Sequence, residues 1–328
     1  MAPPTEQYTD LIKTRFLILS DTHGKNFESG RFPQDLIDVA VHCGDLTDGS
    51  RLEEFRAAIT LLKQINAPLK LVVAGNHDFA LDDAAFDRIK AEAIRAYQGT
   101  FEDSMEAEFG HNGAAKELLL DARRDGIVYL DEGLHTFTLD NGADLKIYSS
   151  PYTPSNGWTS GFQYDDAHKF IIPRGTDLVV THGPPLGILD RHKDSSEDPP
   201  KAKRIGCPQL FQAVAKAQPR LHCFGHVHGD WGARLVTWRS QLSEAPSHFT
   251  DIDNNNGRSP TLDSLQRLQG LRLQQCREQN HVHISLCQQD EHPIEPGKTL
   301  FVNASVMGQS DSLDQLPWLV EIGLERQK

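Results

Sequence analysis

A chain of 328 residues is long enough to bury a substantial core, as one large domain or two ordinary ones. Its composition, 38% hydrophobic and 24% charged, is that of an ordinary globular protein. The net charge of −13 argues against a surface built for a nucleic-acid polymer or an anionic membrane, although metal ions could still hold a small phosphorylated molecule locally.

The five cysteines, Cys43, Cys207, Cys223, Cys276 and Cys287, are scattered and form no Cys-x-x-Cys pair. That spacing implies reduced thiols and a cytoplasmic protein rather than a disulfide framework or a thiolate zinc site. The opening "MAPPTEQYTD" has neither a basic nor an apolar leader region, and no run of ~18 apolar residues predicts a membrane span. Residues 1–14 are expected to be flexible, with one domain over 15–325.

In chain order, "RFLILS" (15–20), "DVAVHC" (38–43) and "LKLVVA" (69–74) read as buried strands, because each is a short apolar run ended by a polar loop. "RLEEFRAAITLLKQI" (51–65) and "DDAAFDRIKAEAIRAY" (82–97) have helical spacing. This alternation predicts βαβ units and an α/β fold. Strands are expected at 127–130, 135–139 and 145–150, with a hairpin turn at Asn141-Gly142. More follow at 177–182, before 224, at 299–304 and at 316–322. Residues 238–292 are rich in Ser, Gln, Asn and Asp and read as a partly disordered insertion with a helix at 261–277. His281 and His283 lie there in a polar context, as expected of a solvated surface pair.

Polar residues collect immediately after the apolar runs. Asp21-Thr22-His23 follows the first, Gly44-Asp45 the second and Gly75-Asn76-His77-Asp78 the third. His182-Gly183 and "FGHVHG" (224–229) follow later ones. If the last continues a strand, His226 and His228 share a face. That alone fits coincidence, a hydrogen-bonded pair or half of a metal site. Singly, Asp21 suits a turn cap, Gly-Asp a common turn and His182 an ordinary strand end. In an open α/β sheet, however, such loops converge beyond the carboxyl ends of the strands. Glycine beside each donor permits positive φ and close backbone approach. Carboxylate, amide and imidazole donors without thiolate suit Mn2+, Fe2+/Fe3+ or Zn2+, and they exceed the needs of one ion. Two divalent ions ~3.5–4 Å apart, bridged by a carboxylate, are a device for displacement at phosphorus. Asp45 is the candidate bridge.

The ordered set "DTH", "GD", "GNHD", "HG" and "GHVH" resembles the calcineurin-like metallophosphoesterase superfamily. The resemblance implies an α/β fold, a four-layer αββα sandwich flanked by helices, with metals at the strand ends. It implies that Asp21, His23, Asp45 and His228 bind one ion, and that Asp45, Asn76, His182 and His226 bind the other. His77 would stand near the leaving group, oriented by Asp78. "GDLTDGS" and "AGNHDF" lack the arginines of the protein Ser/Thr phosphatases, and Asp48 stands where purple acid phosphatases place a metal-binding tyrosine. "SDTHG", "HCGDLT", "SSPYTPSNGW", "THGPPLGILD", "GCPQL" and "FVNAS" are similar instead to metallophosphoesterase-domain-containing proteins related to class III cyclic nucleotide phosphodiesterases. That likeness implies hydrolysis of a phosphodiester, such as a cyclic nucleotide, or of a phosphomonoester, by metal-activated hydroxide. The expected partner is a small phosphoester, with Tyr152, Asn156 and Trp158 as one wall of its pocket or Trp158 packed locally. The rival reading is a weakly active binding or scaffold protein on the same fold; a nuclease is disfavoured by the charge.

Overall fold

The early apolar runs lie side by side as β1 (Ile12–Leu19), β2 (Val39–His42), β3 (Leu69–Val72) and β4 (Ile127–Tyr129), parallel and in that order. Their buried stretches, such as residues 16–19 of β1, are apolar because both faces are covered. Leu17 and Leu19 pack outward, with Phe55 and Leu62 of α1 (Leu52–Lys63) and Leu119 of α4 (Ala114–Asp121). Phe16 and Ile18 turn inward, toward a second sheet. Between α1 and α4 come α2 (Asp83–Ala96) and α3 (Glu102–Phe109). This computed structural model describes residues 11–96, 102–155, 160–194, 201–287, 290, 293–308 and 310–327.

The chain enters the second sheet through the hairpin β5 (Gly133–Thr138) and β6 (Asp144–Ser150). Its turn closes by Gly142 N–H donating to Leu139 O at 2.8 Å. Gly142 has φ +85°, a left-handed conformation that glycine adopts without steric cost. A short ladder, β7 (Thr153–Pro154) with β8 (Gln163–Tyr164), precedes β9 (Leu178–Thr181). The hairpin β10 (Arg191–Asp194) and β11 (Lys201–Arg204) stands apart from both sheets. Then follow α5 (Pro208–Ala217), β12 (Leu221–Phe224) and β13 (Gly232–Thr237). Leu210, Phe211 and Val214 of α5 pack with Val179, Phe224 and Phe301 on the outer face of this sheet. The layers are therefore helix, sheet, sheet, helix, the αββα sandwich the motifs implied.

Residues 238–292 depart from their polar appearance. They contribute β14 (Thr261–Ser264), α6 (Gly270–Gln279) and β15 (Val282–Ser285). β14 extends the second sheet beside β13, and β15 extends the first beside β17 (Trp318–Leu324). β16 (Lys298–Asn303) lies between β12 and β13. The expected helix at 261–277 is thus a strand followed by a shorter helix. An edge strand draws its pairing from backbone groups and needs only one covered face, so a polar sequence suffices. His281 is buried beside Asp35, 3.4 Å away, whereas His283 is half-exposed against Glu321 at 3.1 Å; only the second fits a solvated pair. At the start, Ile12–Thr14 belong to β1, while residues 1–10 lie outside the described residues. No helix among the described residues is long and apolar enough to cross a membrane.

Candidate metal centre

Each motif occupies the loop just past a strand: Asp21 and His23 after β1, Asp45 after β2, Asn76 and His77 after β3, His182 after β9, and His226 and His228 after β12. Three of these strands belong to the first sheet and two to the second. The site therefore spans the sandwich rather than the rim of one sheet. The loops turn sharply. Asp21, His23, Asp45 and His226 have φ of 57°, 48°, 53° and 67°, a left-handed conformation costly for residues with a Cβ and concentrated at functional sites. Backbone bonds latch them, with Asp21 N–H on Gly44 O at 2.9 Å and His23 N–H on Asp45 O at 3.1 Å.

The glycines follow from crowding. A Cβ on Gly44 would lie 2.5 Å from His182 Nδ1, one on Gly75 2.2 Å from Asp45 Oδ1, and one on Gly225 2.1 Å from Asp21 Oδ2. No side chain fits at any of the three.

The donors converge in overlapping groups: Asp21, His23 and His228; His23, Asp45 and His77; and Asp45, His182 and His226. Asp45 Oδ2 is 3.2 Å from His182 Nε2 and 3.9 Å from His23 Nε2. His228 Nε2 is 3.4 Å from Asp21 Oδ1 and 3.5 Å from His23 Nε2. Asn76 Oδ1 is 3.0 Å from His182 Nε2. His182 Nδ1 bonds the Cys43 carbonyl at 3.0 Å, which orients the ring and frees Nε2 for coordination. Buried imidazole nitrogens facing one another and two carboxylates, with His23 Nδ1 lacking any hydrogen-bond partner, are a donor set that fits divalent cations.

The field is steep. Burial pushes Asp21 and Asp45 up, but His228 for the first and His182 for the second outweigh it and hold both carboxyls well below the usual range. Burial pulls His182 down, yet Asp45 lifts it to about 9. Burial and the charge of His182 bring His226 to about 4. His77 is raised, because Asp45 and the Asp48 carbonyl overcome the effect of burial.

Two expectations change. The "GHVH" histidines do not continue a strand: β12 ends at Phe224, His226 turns left-handed, and Val227 packs fully buried between them. His226 faces His182, with ring centroids 5.0 Å apart, whereas His228 faces Asp21. Nor does Asp78 orient His77. Its carboxylate accepts from Leu46 N (3.1 Å), Thr47 N (2.9 Å), Thr47 Oγ1 (2.7 Å) and Gly75 N (2.8 Å). Those buried donors need an acceptor, and Asp78 supplies it. Burial and Asp45 raise its pKa to about 6. His77 Nδ1 rests instead on the Asp48 carbonyl at 2.6 Å. Tyr152 stacks on His168 at 4.3 Å; Asn156 and Trp158 lie outside the described residues.

Sequence reading missed three supports. His42 is buried under the site, its Nε2 3.0 Å from Thr22 Oγ1. Asp48 holds His77, and its place inside "GDLTDGS" was an available signal. Gln315 donates to the His228 carbonyl at 3.0 Å, and no local pattern marks it.

The sequence model of the calcineurin-like phosphoesterase family matches residues 14–230, a span that contains every candidate donor. Metallophosphoesterase domain-containing protein 1 of Homo sapiens is 32% identical over 226 residues, 67% of this chain and 62% of that protein. "Probable rhamnogalacturonate lyase C" of Emericella nidulans is 32% identical over 231 residues, 68% of this chain but 18% of its own length. A UPF0046 protein of Caenorhabditis elegans is 30% identical over 237 residues, 70% of this chain and 68% of that protein. The chain thus spans less than two thirds of the human and fungal relatives.

Proposed function

The chain belongs to the calcineurin-like phosphoesterase family, and from that premise we propose that it hydrolyses a small phosphoester, a phosphodiester such as a cyclic nucleotide. The observation that carries this reading is the division of the donors into groups on either side of Asp45. Asp21, His23, Asp45 and His228 would hold one divalent ion, and Asp45, Asn76, His182 and His226 the other. Mn2+, iron and Zn2+ all suit these donors. When bound, such a pair activates water and neutralises charge on phosphoryl oxygens.

The chain's own part centres on His77. Nδ1–H donating to the Asp48 carbonyl fixes the ring and leaves Nε2 to carry a proton to the leaving oxygen. Asp78 ties the Leu46–Thr47 loop to Gly75, keeping Asp45 and His77 in register. The five cysteines are free, which suits a cytoplasmic enzyme.

The test is metal analysis with turnover of bis-p-nitrophenyl phosphate in added Mn2+, on the parent and on His77→Ala. The variant should keep its metal while kcat falls about 100- to 10,000-fold. Loss of metal instead would make His77 a ligand. Two bound metals with no turnover of any mono- or diester would favour a binding protein on this fold.

A further inference from the structure

The stretch "FVNAS" (301–305) and the link that follows it supply no candidate donor, yet both reach the metal centre. β16 lies between β12 and β13, with Asn303 paired to Phe224 on one side and to Gly232 on the other. Asn303 is therefore level with both ends of the "GHVH" turn, which leaves β12 after Phe224 and enters β13 at Gly232. It is fully buried, and its whole amide is engaged. Oδ1 accepts the Ser305 N–H at 3.2 Å. That leaves Nδ2 to donate to Val227 O at 2.9 Å and to Leu189 O at 3.3 Å, which uses both of its N–H groups.

A second amide arrives from between β16 and β17. Gln315 is buried, its own N–H donating to Val306 O at 3.2 Å, and its Nε2 donates to His228 O at 3.0 Å. The Val227 carbonyl belongs to the peptide before His228, and the His228 carbonyl to the peptide after it. Each peptide is planar, so holding its carbonyl holds the plane. With both planes held, the backbone of His228 has little rotation left, and its Cα–Cβ bond keeps one direction.

The other histidines are held differently. His226 N–H donates to both oxygens of Asp21, at 3.0 and 3.1 Å. Its left-handed turn is closed by Val227 N–H on Gly225 O at 2.7 Å. His182 is oriented through its ring, by the Cys43 carbonyl at Nδ1. No hydrogen bond from a described residue reaches Nδ1 of His228, whose side chain is 35% exposed. Ligating imidazoles are almost always oriented through their second nitrogen; His228 is oriented through its backbone instead.

We propose that Asn303 and Gln315 are positioning residues of the metal centre, two side-chain amides that clamp the peptides flanking His228 and aim its ring at Asp21 and His23. The clamp serves the donor group of Asp21, His23 and His228 and leaves that of Asp45, His182 and His226 alone. The plainer reading is that both amides merely satisfy buried carbonyls. Gln315 speaks against it, because its buried Oε1 has no partner, a cost that a residue kept for stability alone would not carry. Asn303 and Gln315 both lie beyond the stretch the family model matches, so the centre of this chain draws on its C-terminal part. The inference rests on the metal-binding half of the phosphoesterase reading.

The test is calorimetric titration of Zn2+ into metal-free protein: the parent, Gln315→Met, Asn303→Ala, and Gln315→Met in a His228→Ala background. Met fills the space of Gln without a donor. The parent should take up two ions. Gln315→Met and Asn303→Ala should each weaken one ion about 10- to 100-fold and leave the other within about twofold. The melting temperature of metal-free Gln315→Met should shift by less than about 4 °C. In the His228→Ala background that ion is already weak, and Gln315→Met should change it by less than about twofold. Unchanged Zn2+ affinity in either folded variant overturns the clamp. So do equal losses at both ions, or a full effect of Gln315→Met once His228 is gone, because a general loosening would act without His228. If Asn303→Ala does not fold, Gln315→Met decides alone. A parent that takes up no Zn2+ defeats the metal reading and the clamp together, whereas two bound ions with unchanged variants defeat the clamp alone.

Discussion

At the strand ends, Asp21 and His182 are 0% exposed and Asp45 is 2% exposed, whereas between residues 238 and 292 side chains such as Leu271 and Phe249 are 78% and 79% exposed. Both regions look polar along the chain. The first is held by side chains crowded around glycines that admit no Cβ; the second is held by its backbone, as edge strands on both sheets. The difference teaches that polarity says little about burial until its context is read. Asp21, Asp45, Asn76 and His182, polar residues just after apolar strands, are buried. Residues 238–292 add edge strands to both sheets and still bury Asp251, Asp263 and His281.

The strongest way to break this comparison is Asp45→Asn, which removes the carboxylate shared by the two donor groups. Turnover should fall about a hundred- to a thousandfold and bound metal should drop. An enzyme with wild-type kcat and metal content would refute the proposed bridging role of Asp45.

A milder test sets two glycines against each other. Gly75→Ala drives a Cβ against Asp45, so activity should fall about a hundredfold, with about 1–3 kcal/mol lost in stability. Gly257 sits at φ +71° in open space. Gly257→Ala should cost about 1–2 kcal/mol of backbone strain and leave kcat alone. Equal effects on kcat would mean that crowding at Gly75 does not matter.

The smallest expected effect belongs to the seam between the regions. Glu321 on β17 meets His283 of β15 at 3.1 Å, together with Lys13 and Arg15. Burial pushes its carboxyl up, but these partners outweigh burial and bring it from 4.5 to about 2. A folded pKa below the unfolded one adds stability above pH 4.5, and that stability is lost as pH falls through about 2. Glu321→Gln should therefore lower unfolding free energy by about 1 kcal/mol at neutral pH, since its partners are half-exposed. Urea melts across that window should show the two proteins converging as pH falls; a constant gap would assign the loss to packing.

The sandwich strands around the centre were legible because each is an apolar run with a polar stop. The candidate donors, which the fold does bring together, were legible because carboxylate, amide and imidazole followed those stops in a fixed order. Asp78 misled, since its motif position gives its place and not the direction of its carboxylate, which the unpaired amides of Leu46, Thr47 and Gly75 decided. β14 and β15 were illegible because edge pairing uses backbone groups that every residue carries.

The sequence by itself determined which residues can ligate a cation and which runs form strands, since both depend on side-chain chemistry and local periodicity. Only the tertiary structure decided that loops from two sheets meet and that a left-handed His226 sends the paired histidines to different neighbours. Those outcomes depend on contacts between residues far apart in the chain, and the packing of one sheet on the other is what brings them together.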